Sequence, residues 1–356
     1  MKDVKKILAV VIIAILSGCA STYKIPMTKE FYESKKGIHL GTFMAQKEID
    51  ARMPISTAGS AVGVQFGLLG ALIGSAIDSS NNNNNLTNKE NQIAPLRDSL
   101  IDFDINHLYH EEATKTVNTF EWMNIYKITN VSDYERVVFD EDQYFLKLDS
   151  SYALTKNFDS LEFFTYATIY KIKKTSKKKD KETVLFRNLY KYVSPVSALV
   201  QRSDEESNQA RLSIEQWYET EILKLDELKK SKRKAKRRSL TKSKNKKLEE
   251  QTGPYTWGER NLAMAKYWSK NDAALIKQHL NEALVEVSKM IKLDLSDLKP
   301  IDEYKKDKSI ETYKRGLQVV AKSEGRVIVR DIESGMAGQL CSLSIETDYR
   351  RCIRNF

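Results

Sequence analysis

Catalytic fingerprints are what this sequence has least of. It contains no Gly-x-x-x-x-Gly-Lys phosphate loop, no Gly-x-Gly-x-x-Gly, no Gly-x-Ser-x-Gly elbow and no Cys-x-x-Cys pair. Phosphate cradles, dinucleotide turns, serine-hydrolase elbows and redox or zinc hairpins therefore have no support in the residue pattern. Histidine is sparse as well, at positions 39, 107, 110 and 279. His107 and His110 stand one helical turn apart beside Glu111 and Glu112, a spacing open to a metal pair or to solvated side chains. They do not form His-Glu-x-x-His, and no third ligand is identifiable. No catalytic residue, metal ligand or cofactor is assigned, although carboxylate pairs leave no sequence signature. Proline and cysteine are scarce too, at six and three.

Acidic residues are missing from one stretch in particular. Between Lys229 and Lys247 there are twelve Lys or Arg and no Asp or Glu, against a net charge of +10 for the whole chain. The rest is thus slightly acidic. The basicity is a local insertion, with Lys232, Arg233, Lys234, Lys236, Arg237 and Arg238 as its densest part, and a general nucleic-acid-binding face is not supported. Such a run is either a solvated helical extension or a disordered arm.

At the other extreme, Met53 to Ile77 carries no charged residue, and glycines recur at Gly59, Gly63, Gly67, Gly70 and Gly74. On a helix that spacing leaves a flat groove for close helix packing. About 22 helical residues would span roughly 33 Å, enough to cross or dip into a bilayer; a buried Gly/Ala-rich helix or hairpin is the other reading. Five asparagines, Asn81 to Asn85, then make a surface loop.

The chain opens with Lys2, Lys5 and Lys6, followed by ten apolar residues from Ile7 to Leu16 and then Ser17-Gly18-Cys19. Ten residues cover only about 15 Å as a helix, too short for a lasting membrane span. The layout is that of an export signal, and with its cysteine it closely resembles the bacterial lipoprotein signal, the lipobox, over residues 1–19. The resemblance implies cleavage after Gly18 and lipidation of Cys19 by a thioether-linked diacylglycerol, usually with an amide-linked acyl chain such as palmitate. Two or more chains give stable anchoring. Ala20 replaces the aspartate that in such lipoproteins signals inner-membrane retention, so the rule implies the outer membrane, facing the periplasm. Residues 53–77 resemble the glycine-zipper segments of some outer-membrane lipoproteins, which commonly pair two such helices where this chain has one. With Cys19 lipidated, Cys341 and Cys352 remain as an even pair in an oxidising compartment, read as a disulfide or else as two buried or free thiols.

Taken in order, the sequence divides into a signal (1–18), a polar tether (19–36), the Gly-rich apolar segment opening on a strand at 38–46 (37–80), the Asn-rich loop (81–93), an α+β core (94–200), a charged helix with the basic arm (201–252), and a helical region with C-terminal strands (253–356). A helix is expected over Ala94–Val117. From Gln143 to Val193 the period changes to two, giving three antiparallel strands with one aromatic face: Leu146, Leu148, Tyr152 and Leu154; Phe164, Tyr166, Tyr170 and Ile172; Val184, Phe186, Tyr190 and Tyr192. Ile214, Trp217, Tyr218, Glu221 and Leu225 mark an amphipathic helix leading into the arm. A helix from Asn271 or Asp272 to Lys292 presents Ile276, Leu280, Ala283, Leu284, Val287, Met290 and Ile291 to cover the meander. Strands at 317–321, 326–332 and 339–345 extend the same sheet or form a satellite. The expected fold is α+β, an antiparallel meander packed on amphipathic helices.

The function this implies is non-enzymatic: a lipid-anchored cell-envelope protein that binds or scaffolds another envelope component. Its partners would be the membrane, through the lipid, and an anionic envelope polymer or lipid head groups, through the basic arm; nucleic acid is not among them. Two alternatives are an envelope hydrolase with an unrecognised carboxylate site, and a membrane-inserting or pore-forming lipoprotein acting through residues 53–77.

Overall fold

The computed structural model describes residues 23–44, 46, 48–51, 90, 92–130, 143–173, 181–227, 230–314 and 316–353. Gly18, Cys19 and all five glycines of the 53–77 segment lie outside them, as does the asparagine run. The architecture is α+β, built on a mixed ten-stranded sheet.

Its strands are β1 (Gly37–Met44), β2 (Asp50–Ala51), β3 (Asn124–Asn130), β4 (Tyr144–Leu154), β5 (Leu161–Lys173), β6 (Lys181–Val193), β7 (Thr312–Lys314), β8 (Leu317–Ser323), β9 (Arg326–Asp331) and β10 (Leu340–Ser344). The order across the sheet is β3-β1-β4-β5-β6-β10-β9-β8-β7, with β2 beside β4. The expected meander is its centre: β4, β5 and β6 pair antiparallel along nearly their full lengths. The C-terminal strands extend the same sheet, because β10 lies parallel to β6. On the other side β1 is wedged between β3 and β4, parallel to both.

This placement corrects the domain boundaries at the N-terminus. The strand expected at 38–46 is not the start of a separate apolar segment but an interior strand of the body, with Ile38 and Leu40 fully buried. Gly41 lets β1 sit there, since a Cβ at that position would come within 2.3 Å of the Phe145 ring. Nor do residues 23–36 form a free tether. Ile25 pairs with Arg187 of β6 through two backbone hydrogen bonds, Met27 is buried, and helix α1 (Lys29–Glu33) brings Phe31 and Tyr32 against Trp122.

One face of the sheet is covered by α2 (Ile105–Val117), over β1 and β3, and by the long α5 (Trp257–Leu295), over β5, β6 and β10. Tyr152, Phe163, Tyr190, Trp268, Ile276, Leu280, Ala283, Val287 and Ile291 meet there in the main core. The stripe read from the sequence is thus the face of α5 that covers the meander. The single aromatic face needs correction at β5. The register sets Phe163 against Tyr152 and Ile169 against Leu146, so Phe164, Tyr166, Tyr170 and Ile172 line the opposite face, where Ile172 clusters with Phe43 and Phe145. A strand apolar on both sides has no period-two signal to choose between them.

The helix expected over 94–117 is interrupted. A helical stretch through residue 98 gives way to turns, and α2 restarts on Asp104, whose carboxylate accepts from the His107 backbone N–H. In α5 a break falls at the expected place, yet no N-cap side chain makes it. Asn271, Asp272 and Ala273 all adopt left-handed φ between 52° and 56°. Three such non-glycine residues each cost about 1–2 kcal/mol, and they divide α5 into two arms of different direction. The remaining helices are α3 (Asp204–Leu223), α4 (Lys230–Thr252), α6 (Ile301–Lys306) and α7 (Arg350–Ile353).

Candidate functional site

Three places on the body combine polar chemistry with a defined geometry: a buried ion network beneath the N-terminal segment, a groove along α5, and the arm formed by α3 and α4.

The network begins with chain geometry. Strand β10 pairs with β6 only from Tyr190 onward, leaving the β6 edge open at Arg187, and Ile25 fills it. Alternation along the segment then directs Tyr23 to one face, against Arg187 and Tyr166, and Lys24 to the other. Lys24 Nζ reaches Asp294 Oδ1 at 2.7 Å with both side chains fully buried. Asp294 Oδ2 accepts from Asn188 Nδ2 at 2.6 Å and from the Tyr190 hydroxyl at 3.0 Å. Arg330 lies 3.4 Å from Asp294, bridges to Asp297 at 3.2 Å, and stacks its guanidinium 4.0 Å from the Tyr304 ring. Two cations thus face two carboxylates, the arrangement that burial of charge demands. Burial lowers the Lys24 pKa against the opposing pull of Asp294, and it raises the Tyr190 hydroxyl well above the ordinary value, with the Asp294 charge adding to the effect. Gly338, at φ +106°, lets the segment pass: a Cβ there would lie 2.2 Å from Lys24 Cβ.

The groove has a volume of about 680 Å³ and is open, lined by Lys277, Gln278, Asn281, Glu282, Val285, Glu286, Lys289 and Arg326 among others. It holds two glutamates one turn apart, the constellation a carboxylate hydrolase would use. Both are engaged. Glu286 accepts from Ser342 and Lys289 at 2.6 Å each, with Arg326 3.9 Å away. Glu282 accepts from Tyr192 at 2.9 Å, His279 at 3.0 Å and Gln278 at 2.9 Å. Burial alone would raise the Glu282 pKa, but those hydrogen bonds outweigh it and hold the carboxyl below the ordinary value. A general acid needs the reverse, a carboxyl raised toward neutrality.

The arm is a helical hairpin, so the basic run is a helix and not a disordered tail. A capping box between Ser203 and Glu206 starts α3, with Asp204, Glu205 and Glu206 in its first turn. Ile214 and Leu225 of the expected amphipathic face are buried, as is Leu240 of α4, and the two helices pack on each other. Trp217 and Tyr218 lie under Lys247 and Lys244, at 4.0 and 4.9 Å. At the base, Arg202 bridges to Glu259 at 3.0 Å and the Tyr255 hydroxyl donates to Glu206 at 2.9 Å. Of the sequence-assigned cations, Lys232, Lys234, Lys236, Arg237 and Arg238 are exposed on α4. Lys232, Lys234, Arg237 and Arg238 make no ion pair with a described residue.

The other sequence-assigned positions separate. Cys341 and Cys352 are bonded, both buried, with Cα atoms 5.8 Å apart; the bridge ties α7 to β10 on the face away from α5. His107 pairs with Glu111 on the surface, while His110 turns inward to hydrogen-bond Thr42 at 2.8 Å. No cluster of three metal-ligating side chains occurs among the described residues, and no described helix is long and apolar enough to cross a membrane. Sequence reasoning missed Lys24, Asn188, Asp294, Asp297 and Arg330. The available signal was Asp294 and Arg330 interrupting apolar runs. No protein-family profile, curated protein or solved structure matches this chain.

Proposed function

We propose that the chain is a lipid-anchored cell-envelope protein, cleaved after Gly18 and lipidated at Cys19, that binds another envelope component and performs no catalysis. The observation that carries the binding half of this reading is the α3–α4 arm. A helix with this density of like charge repels itself and buries little apolar surface. An anionic partner accounts for both features. The buried Cys341–Cys352 bridge supports an oxidising compartment. Ala20 favours the outer membrane, with the body in the periplasm.

The docked N-terminus changes how such an anchor works. With Tyr23 already held on the sheet, only three residues, Ala20, Ser21 and Thr22, separate the body from Cys19. The protein is then a membrane-apposed body on a short leash. Metabolic labelling with an alkyne fatty acid tests the anchor: the wild-type chain takes the label and fractionates with membranes, and Cys19→Ser loses the label. A Cys19→Ser chain that is still labelled overturns the reading.

A further inference from the structure

We infer that α4 is a second membrane contact, docking on anionic lipid head groups of the bilayer that holds the anchor. This rests on the anchor reading above and names the partner of the arm. Three observations lead to a bilayer in preference to a soluble polyanion.

The first is reach. The four Cα-to-Cα steps from Cys19 to Tyr23 extend at most about 14 Å, whereas α3, with 20 residues, projects its far end about 30 Å from its base. The arm is about twice as long as the leash, so orientations that turn it toward the bilayer bring its tip to the head groups.

The second is the distribution of charge along the arm. Helix α4 starts at the tip, and Lys232, Lys234, Lys236, Arg237 and Arg238 all fall in its first nine residues, while Glu249 and Glu250 lie near the base. The density of positive charge is distal, where a surface would be met.

The third is the residue at the end of α3. Leu223 is 71% exposed, and it stands seven positions before the start of α4 at Lys230, across the helical turn Lys224–Glu227. The apolar side chain and the cations therefore share one end of the arm. An exposed apolar side chain beside cations is the pattern of an interfacial contact, in which the cations meet phosphates and the apolar group enters the acyl boundary. A dissolved polyanion has no use for the leucine.

The test uses the chain from residue 19 onward with Cys19→Ser, floated with vesicles of phosphatidylcholine alone or with about one fifth phosphatidylglycerol. Binding is expected to the anionic vesicles only, and to weaken steeply between low and moderate salt. Changing Lys232, Lys234, Lys236, Arg237 and Arg238 together to Gln should reduce it at least about tenfold, since each cation near an anionic surface contributes severalfold. Leu223→Ser should reduce it severalfold with the charge intact. These positions are exposed, and an unchanged far-ultraviolet dichroism spectrum verifies that the hairpin persists. Equal binding to neutral vesicles overturns the proposal, as does an undiminished quintuple variant. So does Leu223→Ser binding like the parent while dextran sulfate displaces both, which would assign the arm to a soluble polyanion. Loss of lipid labelling at Cys19 in cells would remove the anchor without altering this vesicle result, so the two failures are separable.

Discussion

Lys24 and Asp294, 270 residues apart in the chain, form a 2.7 Å ion pair from which solvent is fully excluded. The pair joins the first docked residues of the body to the last turn of its longest helix, and Asn188, Tyr190 and Arg330 complete the shell around the carboxylate.

Asp294→Ala leaves Lys24 and Arg330 buried without that carboxylate. Removing one partner of a buried pair costs about 3–5 kcal/mol. Urea unfolding should register a loss of that size, and Asp294→Asn should lose nearly as much because the charge is still missing. A change below about 1 kcal/mol in both would mean that the network is not holding the fold together.

Gly338→Ala tests the passage of the N-terminal segment. The added methyl meets Lys24 Cβ at 2.2 Å, in a backbone conformation of φ +106° that alanine resists. Overpacking and strain together cost about 1–3 kcal/mol, and the easier relaxation is release of residues 23–27. Limited proteolysis should then cut before α1 in the variant and spare the parent. Equal cleavage would show that the segment is not clamped there.

Reduction of the Cys341–Cys352 bridge releases a loop of 11 residues in sequence separation, worth about 3 kcal/mol in the chain-entropy model. Both sulfurs are buried, so mild reductant should leave the native protein unchanged, and combined urea and reductant should expose two thiols to a maleimide. The double variant Cys341→Ser/Cys352→Ser should melt several degrees lower. An unaltered melting temperature would show that α7, held also by Arg351 on Asp159, needs no bridge.

Alkaline pH should unfold the protein through its tyrosines. Burial raises Tyr152 to about 12, and it raises Tyr23, Tyr109, Tyr190 and Tyr192 as well. In the unfolded chain these hydroxyls ionise near 10. Above that pH the folded state binds more protons than the unfolded one, so stability is full below about 10 and falls as pH rises toward 12 and beyond. Lys24, lowered by burial, contributes the opposite slope, one group against five. Tyrosinate absorbance and loss of dichroism should rise together; tyrosinate appearing early in a still-folded protein would contradict the burial.

The centre of the fold was legible because its strands carry side chains at period two and its covering helix at period 3.6. Leu146, Leu148 and Tyr152 lie where alternation puts them, and Ile276 through Ile291 form the stripe that covers them. Strand β3 escaped because, at one end of the sheet with mostly exposed side chains, it leaves no alternation to read. The ion network escaped for a different reason. A lysine in a polar stretch reads as solvated, and the groups that bury Lys24 are contributed by β6, α5 and β9, which only tertiary structure brings together. The basic arm was visible as composition, whereas its helical form depends on cross-helix contacts such as Trp217 with Lys247.

The position of Lys24 also dictates an order of events. Its carboxylate partner is residue 294, and its backbone N–H donates to the carbonyl of Ala337. A chain that is synthesised, or threaded through a membrane, from its N-terminus therefore presents the first docked segment long before the groups that receive it exist on the same side. Ile25 finds its partner at Arg187, but the seat of Lys24 is complete only when Asp294 and Ala337 have emerged. The seat of Lys24 is thus finished by the C-terminal part of the chain, long after the segment that occupies it has been made.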